Sequence, residues 1–309
     1  MKRALGLLIL LLSIATFWTS VAGAQANEKI GLAVSPPTFE LSANPGDKLK
    51  HSIRVDNLTA KDAPVTVEHR NFSPIGEEGQ AVLTPDDTPY SLASWIKVNP
   101  STITIPTKES KVFDFTIDVP SNAEPGGHFG SIVFKTAAPA EKSSGGVAVG
   151  QEIGSLILLK VAGNAKEKAE ITSFRSTADL WEYGPVAFEA RLKNTGNIHL
   201  KPTITITLTD MFGRKVATIP VDSRNILPNS IRKLDAKWGE HSLFGRYTAT
   251  LSVAYGDKKQ IVTASTSFFA IPYRLILIIL AILATVGFLV YRGRRRLLRS
   301  VKVLFEKDK

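Results

Sequence analysis

The sequence predicts an all-β ectodomain of two tandem immunoglobulin-like antiparallel β-sandwiches, followed by one transmembrane α-helix. Between Ile30 and Ala270 apolar residues recur with a period of two rather than 3.6, as expected for strands with one buried face. Turn residues such as Asn44-Pro-Gly-Asp47 and Asn194-Thr-Gly-Asn197 separate these stretches. A long apolar run, LILIILAILATVGFLVY, occupies Leu275 to Tyr291. These three observations define the fold class and give the boundaries expected for the chain: a signal peptide at 1–26, a first sandwich at 27–163, a second at 164–270, a transmembrane helix at 271–291 and a basic cytoplasmic tail at 292–309.

The amino terminus has the pattern of a secretory signal peptide. Lys2 and Arg3 precede a short apolar core, Leu5 to Thr16, and small residues suited to cleavage follow at Ala22-Gly-Ala24 or Ala24-Gln-Ala26. The alternative is an uncleaved membrane anchor. Cleavage would leave a chain that crosses the membrane once, with its amino terminus outside.

Strand alternation is clearest in two stretches. Phe113, Phe115 and Ile117 alternate with polar residues, and in the second half Val186, Phe188, Ala190 and Leu192 do the same. Ile157-Leu-Leu159 is apolar on both faces, which places this strand between sheets or at the domain junction. The small, Gly-rich stretch 138–146 before it is interpreted as a mobile loop.

A weak internal repeat connects the two halves. Val55-Asp-Asn57 followed by Ala63-Pro-Val resembles Leu192-Lys-Asn194 followed by Lys201-Pro-Thr, and Asn99-Pro-Ser-Thr-Ile103 resembles Leu227-Pro-Asn-Ser-Ile231. Since the order is the same in both halves, two copies of one sandwich are the simplest explanation. Chance similarity between strand–turn–strand segments is the alternative.

The apolar run near the carboxyl end sets the expected topology. Its 17 residues approach the roughly 20 that span a hydrocarbon core, and Tyr273 and Tyr291 bracket it at interfacial depth. Cytoplasmic flanks are enriched in Lys and Arg, so the following cationic block faces the cytoplasm, formed by Arg292, Arg294, Arg295 and Arg296. The sequence therefore predicts a single-pass cell-membrane protein with an extracytoplasmic ectodomain. A buried core helix is the alternative.

Composition excludes several functional classes. Much of the formal charge of +10 belongs to the leader and the tail, so the ectodomain is nearly neutral and no nucleic-acid partner is expected. With 0 cysteines, thiolate metal sites and thiol catalysis are excluded.

No catalytic, cofactor or metal site is predicted. The five histidines, 51, 69, 128, 199 and 241, form no metal-ligand pattern, and neither a Gly-x-Ser-x-Gly elbow nor a phosphate-binding loop occurs. Glu77-Glu78 and Asp86-Asp87 are interpreted as solvated loop carboxylates, with a wall-hydrolase dyad as the alternative. The protein is therefore expected not to be an enzyme.

Trp181 and Tyr183 are the weak candidates for ligand binding. An aromatic pair in a loop before Gly184-Pro185 is a plausible platform for a sugar or a peptide. The alternative, that Trp181 belongs to the core, is favoured.

Several motifs resemble the WxL-interacting protein family of bacterial surface proteins. In the first half they are Val34-Ser-Pro-Pro37, Asn44-Pro-Gly46, Asn57, Trp95-Ile96 and Pro125-Gly-Gly-His-Phe-Gly130, and in the second Lys193-Asn-Thr-Gly-Asn-Ile-His-Leu200, Phe244-Gly-Arg-Tyr247 and Phe268-Phe269. The resemblance implies a peptidoglycan-binding first domain and a second domain that binds WxL-domain proteins. No Trp-x-Leu occurs, so this chain would be the binder.

Two functions follow as expectations. The first is a membrane-anchored bacterial cell-surface protein that engages cell-wall polymer or a surface protein through its tandem sandwiches. The second is a structural spacer or chaperone-like envelope subunit that acts by strand complementation at a sheet edge.

Overall fold

The computed structural model describes residues 31–85, 87–136, 150–222 and 224–305, with side chains up to residue 294. The predicted signal peptide and the whole predicted loop at 138–146 lie outside the described residues, as does Asp86. The described residues form eighteen strands, a 3-10 turn (Ala93–Trp95) and a helix, α1 (Tyr273–Phe305). The strands are β1 (Leu32–Ser35), β2 (Thr38–Ala43), β3 (Lys48–Asn57), β4 (Ala63–Ile75), β5 (Gln80–Thr84), β6 (Ile96–Asn99), β7 (Thr102–Ile105), β8 (Ser110–Asp118), β9 (Gly126–Thr136), β10 (Glu152–Val161), β11 (Ala169–Ser176), β12 (Leu180–Trp181), β13 (Val186–Asn194), β14 (Thr203–Thr209), β15 (Lys215–Val221), β16 (Ile231–Trp238), β17 (Gly245–Tyr255) and β18 (Gln260–Ala270).

The first sandwich packs two sheets face to face. One has the order β1-β3-β8-β6, and the other has the order β2-β10-β9-β4-β5, with β7 also on β4. The alternating residues of β8 point inward as predicted, and Phe113 packs on Phe134 of the facing sheet with ring centroids 5.0 Å apart. This core lies entirely within the first half of the chain.

The second sandwich repeats the plan with its own core. Its sheets have the orders β11-β13-β16 and β12-β18-β17-β14-β15. Phe188 and Phe268 meet edge to face at 5.7 Å in the centre, and the predicted inward set of β13 is buried. The predicted fold class, two immunoglobulin-like sandwiches followed by an apolar helix, is confirmed.

Two strand pairs are parallel, which period-two alternation does not predict. β2 runs parallel to β10 and β12 runs parallel to β18, while the other pairs are antiparallel. In the first sandwich β1 stops pairing with β3 after Ser35, because Pro36 and Pro37 have no N–H to continue the ladder. The chain then joins the opposite sheet as β2. Alternation reveals which face of a strand is buried, but it does not reveal the direction of its neighbour.

A buried asparagine ends the equivalent strand in each half. The Asn57 amide donates to the Ile105 carbonyl at 3.0 Å, and the Asn194 amide donates to the Ile226 carbonyl at 2.8 Å. Both side-chain oxygens accept a backbone N–H two residues later, which is an Asx turn. The two asparagines of the sequence repeat therefore perform the same structural task in both sandwiches.

Helix α1 is long and apolar enough to cross a membrane over Tyr273–Arg294, 22 residues or roughly 33 Å of helix. None of this stretch is buried against the sandwiches, so the alternative of a core helix is wrong. The helical backbone continues through the predicted tail to Phe305.

Candidate functional site

The two sandwiches meet at an apolar junction. The outer face of the first sandwich contributes Phe72, Phe129 and Leu158, and the second sandwich contributes Leu227. Ile157 and Leu159 point the other way, into the first core. Of the two placements predicted for this strand, between sheets or at the domain junction, the structure shows the junction.

Polar contacts hold the junction in one arrangement. Arg191 pairs with Glu77 at 2.8 Å, Lys201 with Glu40 at 2.9 Å, and Lys160 with Asp257 at 2.8 Å. Two backbone hydrogen bonds also cross between the sandwiches. The Gly127 N–H donates to the Asn197 carbonyl at 2.8 Å, and the Lys233 N–H donates to the Glu77 carbonyl at 2.9 Å.

An open space of about 170 Å³ adjoins the apolar cluster, and we call it the junction cavity. About half of its wall is apolar, from the outer face of the first sandwich and the segment leading into β16: Phe72, Pro74, Ala81, Leu156, Leu158, Leu227 and Ile231. The polar side chains in the wall are Thr38, Gln80, Asn225, Ser230 and Arg232. Arg232 is the cationic residue in the wall. Its guanidinium donates to the carbonyls of Glu78 and Asn225 and, among the described residues, has no carboxylate within salt-bridge distance.

Burial, followed by the nearby charge of Arg224, lowers the pKa of Arg232 from its usual range. The group remains charged, since an arginine does not lose its proton in proteins. The Glu78 carboxylate acts on this cation only at longer range, so the half-buried guanidinium favours a ligand that brings a carboxylate or carbonyl oxygen into direct contact.

The mouth of the junction cavity coincides with the open edge of β5, meaning the side of that strand that faces away from β4. Pro74 lies opposite Ala81 and has no N–H, so these two residues form a non-hydrogen-bonded pair. Such pairs alternate with hydrogen-bonded ones along an antiparallel ladder, so Phe72 and Leu83, two residues away, form another non-hydrogen-bonded pair. The backbone groups of Ala81 and Leu83 therefore point outward, away from β4. Ala81 also lines the junction cavity, so a strand edge with no second partner strand among the described residues lies beside this partly apolar space.

Two titratable groups at the junction have perturbed protonation. A hydrogen bond from Asn225, together with Lys201, lowers the pKa of Glu40. Burial lowers the pKa of His199, whose ring meets Phe129 edge to face at 6.1 Å. The buried Nδ1 of His199 has no hydrogen-bond partner among the described residues. At neutral pH the Glu40 carboxylate is ionised and stabilised by these contacts, whereas burial keeps the His199 ring uncharged.

The predicted aromatic platform lies elsewhere, at the opposite end of the second sandwich. Trp181 packs against the second core, and its indole N–H donates to Ser176 Oγ and to the Ala178 carbonyl, both at 2.9 Å. Tyr183 is exposed, and both residues line a shallow depression with Arg274. The indole is thus held by the core, as the favoured alternative stated.

The residues of the predicted topology lie on α1, although the side chains of Arg295 and Arg296 are not described. Tyr273 begins the helix, and Tyr291, Arg292 and Arg294 follow along it.

The described carboxylates of the two pairs have separate partners. Glu77 pairs with Arg191 across the junction while its side chain stays 39% exposed, and Asp87 accepts a hydrogen bond from Asn71. Within the described ranges no group of three His, Asp or Glu residues is placed to hold a metal ion. Sequence reasoning missed the junction cavity and Arg232. The available signal was Leu156 and Leu158, which are apolar on the outer face of β10.

No protein-family model matches the sequence, and no curated protein sequence is significantly similar to it. Solved structures of chaperones for fimbriae are similar in fold. The class 5 fimbriae chaperone CfaA is 14% identical with a TM-score of 0.42, over 76% of this chain and 99% of that chain. A structure of a chaperone–tip adhesin complex of CFA/I fimbriae is 13% identical with a TM-score of 0.41, covering 76% and 98%. The E. coli chaperone DraB is 14% identical with a TM-score of 0.37, covering 78% and 96%. What those proteins bind is their own property, and at such low identity the likeness concerns the fold alone.

Proposed function

We propose that the protein is a membrane-anchored, non-catalytic envelope subunit that holds an extended segment of a partner polypeptide along the open edge of β5. One observation carries the proposal: a strand edge with no second partner strand among the described residues and a partly apolar cavity share Ala81. Phe72 and Leu158 are already buried at the junction, whereas Leu156 is only partly buried and lines the cavity beside Ala81. An added strand would cover both features.

The chemistry of such binding divides into two parts. Ala81 and Leu83 provide backbone donors and acceptors, and these contribute affinity that does not depend on the side chains of the partner. Every second side chain of the added strand faces the junction cavity, which selects small or aliphatic residues. The guanidinium of Arg232 has five N–H groups, and those not used by Glu78 and Asn225 would bond a carbonyl or carboxylate of the partner.

The location of the protein is part of the same proposal. Helix α1 spans the membrane with the block from Arg292 in the cytoplasm, and both sandwiches lie outside. Of the two functions expected from the sequence, strand complementation suits this geometry better. Engagement of cell-wall polymer, and the resemblance to the WxL-interacting family, stay predictions.

Site-specific photocrosslinking in intact cells tests the proposal. A benzophenone amino acid at Val82 in β5 is compared with the same residue at Val216 in β15, another edge strand, since the two valines are 43% and 44% exposed. We expect a discrete polypeptide adduct at Val82 and none at Val216. Equal adducts at both positions, or adducts removed by wall-digesting enzyme, would contradict strand addition at β5.

Proline variants test the hydrogen bonding itself. Ala81→Pro removes an outward N–H and leaves the ladder between β4 and β5 intact, so the crosslink from Val82 should disappear while the fold survives. Thr218→Pro is the matched control. Pro220 lies opposite Thr205, so the Thr218 N–H also points to an open edge, but far from the junction cavity. A crosslink that survives Ala81→Pro would show that the Ala81 N–H does not bind the partner strand.

A further inference from the structure

The end of the second sandwich that faces α1 is formed by loops, and we call it the base. It comprises residues 177–185, 210–214 and 239–244, together with the connector 271–272. Strand directions bring these segments together, because Gly245 pairs with Ala270, Thr209 with Thr248 and Val186 with Trp238. The junction with the first sandwich lies at the opposite end of the same strands.

The base exposes large apolar side chains that a soluble domain would bury. Phe212 at the tip of the β14–β15 hairpin is 71% exposed, and Phe244 before β17 is 64% exposed. Other exposed members at this end are Leu180, Tyr183, Met211, Phe269 and Tyr273. Exposed apolar side chains collected at one end of a domain usually mark an interaction surface.

The base is joined to α1 without a flexible linker. The Ile271 N–H donates to the Trp181 carbonyl at 2.8 Å, and the Arg274 N–H donates to Glu182 Oε1 at 3.3 Å. Arg274 also pairs with Glu182 at 3.4 Å through its guanidinium. A bilayer that holds the helix from Tyr273 onward therefore lies within a few residues of these loops.

Resting on the proposed membrane span, we infer that the base is a membrane-docking surface whose occupant is the lipid headgroup region. Phe212 and Phe244 insert at the boundary between headgroups and acyl chains, the depth at which aromatic and aliphatic side chains of peripheral proteins lie. Tyr273 sits at the same level, as interfacial tyrosines do. The two sandwiches then stand in a fixed orientation on the membrane.

The charges at the base favour insertion over attraction to anionic lipid. Arg214 pairs with Asp210 at 2.7 Å and lies over the Phe212 ring at 5.2 Å, and Arg274 is paired with Glu182. The base segments also carry Asp179 and Glu240, so with Arg274 included they hold four carboxylates against two cations. Docking by apolar insertion should therefore occur on zwitterionic bilayers, should gain nothing from anionic lipid, and should not be weakened by salt.

Single-cysteine labelling of the full chain tests the inference, and the natural sequence has 0 cysteines to interfere. Phe212→Cys and Phe244→Cys carry an environment-sensitive fluorophore, and the protein is reconstituted in phosphatidylcholine vesicles with and without a lipid-borne nitroxide quencher. Ile261→Cys is the matched control, because Ile261 is also 64% exposed but lies about 30 Å from the base along β18. Leu283→Cys in α1 reports on the span itself.

We expect blue-shifted emission and quenching at positions 212 and 244, as at 283, and neither at 261. Quenching at 283 without quenching at 212 and 244 would overturn the inference and leave the span intact. Absence of quenching at 283 would overturn the span, and the inference with it. A signal at 212 and 244 that depends on protein density would indicate a second copy as the occupant and would also refute lipid docking.

Discussion

Truncation of Leu227 tests whether the junction is a cohesive unit. Leu227 is buried and is the member of the junction cluster that the second sandwich provides, and it belongs to neither sandwich core. Leu227→Ala removes three carbons, which corresponds to about 2.4 kcal/mol of lost apolar burial at roughly 0.8 kcal/mol each. A residual cavity would add to this cost. The loss should fall on the contact between the sandwiches, while each sandwich keeps its own core.

Hydrogen exchange of two amides measures the effect. The N–H groups of Gly127 and Lys233 bond across the junction, so they exchange when the sandwiches separate. A loss of about 2.4 kcal/mol predicts roughly 50-fold faster exchange of these two amides, since 1.4 kcal/mol is a factor of ten. Val216→Ala on the exposed edge strand β15 is the control and should change neither rate. Unchanged exchange in Leu227→Ala would show that the polar contacts alone hold the junction, and it would refute a stabilising role for the apolar cluster.

Two further predictions concern the same junction. Gly79→Ala should displace the Arg232 guanidinium from the carbonyls of Glu78 and Asn225, because Gly79 has a φ of 70° and a Cβ there would collide with this flexible side-chain end. Gly76→Ala, with a φ of 61° and open space, should cost only the backbone strain, so the Lys233 amide should exchange faster in Gly79→Ala than in Gly76→Ala; equal exchange rates in the two variants would refute this. Acidification should loosen the junction in two steps, measured by exchange from about pH 7 down to about pH 3. The first cost appears below the ordinary histidine pKa of about 6.5, because the lowered pKa of His199 keeps its ring neutral in the folded state. The second appears as the pH falls through the lowered pKa of Glu40, and Glu40→Gln should abolish it.

Local patterns predicted the strands well because a strand with one buried face needs only its own alternation. Phe113 and Phe188 are central core residues in the structure, as their spacing indicated. The parallel pairing of β2 with β10 was not predictable in this way, because it depends on a segment more than a hundred residues distant. Likewise Glu77 looked like a solvated loop carboxylate, and its partner Arg191 lies in the other sandwich.

The candidate site was less accessible to sequence reasoning than the fold. Aromatic residues near a glycine directed attention to Trp181, whose indole is engaged by the core. The cavity that carries the proposal depends instead on how two domains dock, and only the two-sided apolarity of Leu156 to Leu159 indicated it. A strand whose outer face is as apolar as its inner face needs an explanation outside its own sandwich, and this one led to the junction.

Contacts at both ends of the second sandwich fix the distance between the proposed binding edge of β5 and helix α1. The junction lies where β16 begins at Ile231, and the base lies where β16 ends at Trp238, a separation of about 25 Å along the strand. The hydrogen bond from Ile271 to Trp181 fixes the base to α1, and the Arg191–Glu77 pair fixes the first sandwich to the second. A flexible tether would let the open edge of β5 sweep through many positions and orientations. Under the proposed membrane span, this arrangement instead presents the edge at one distance from the bilayer, which favours a partner that is held by the same membrane over one that diffuses freely.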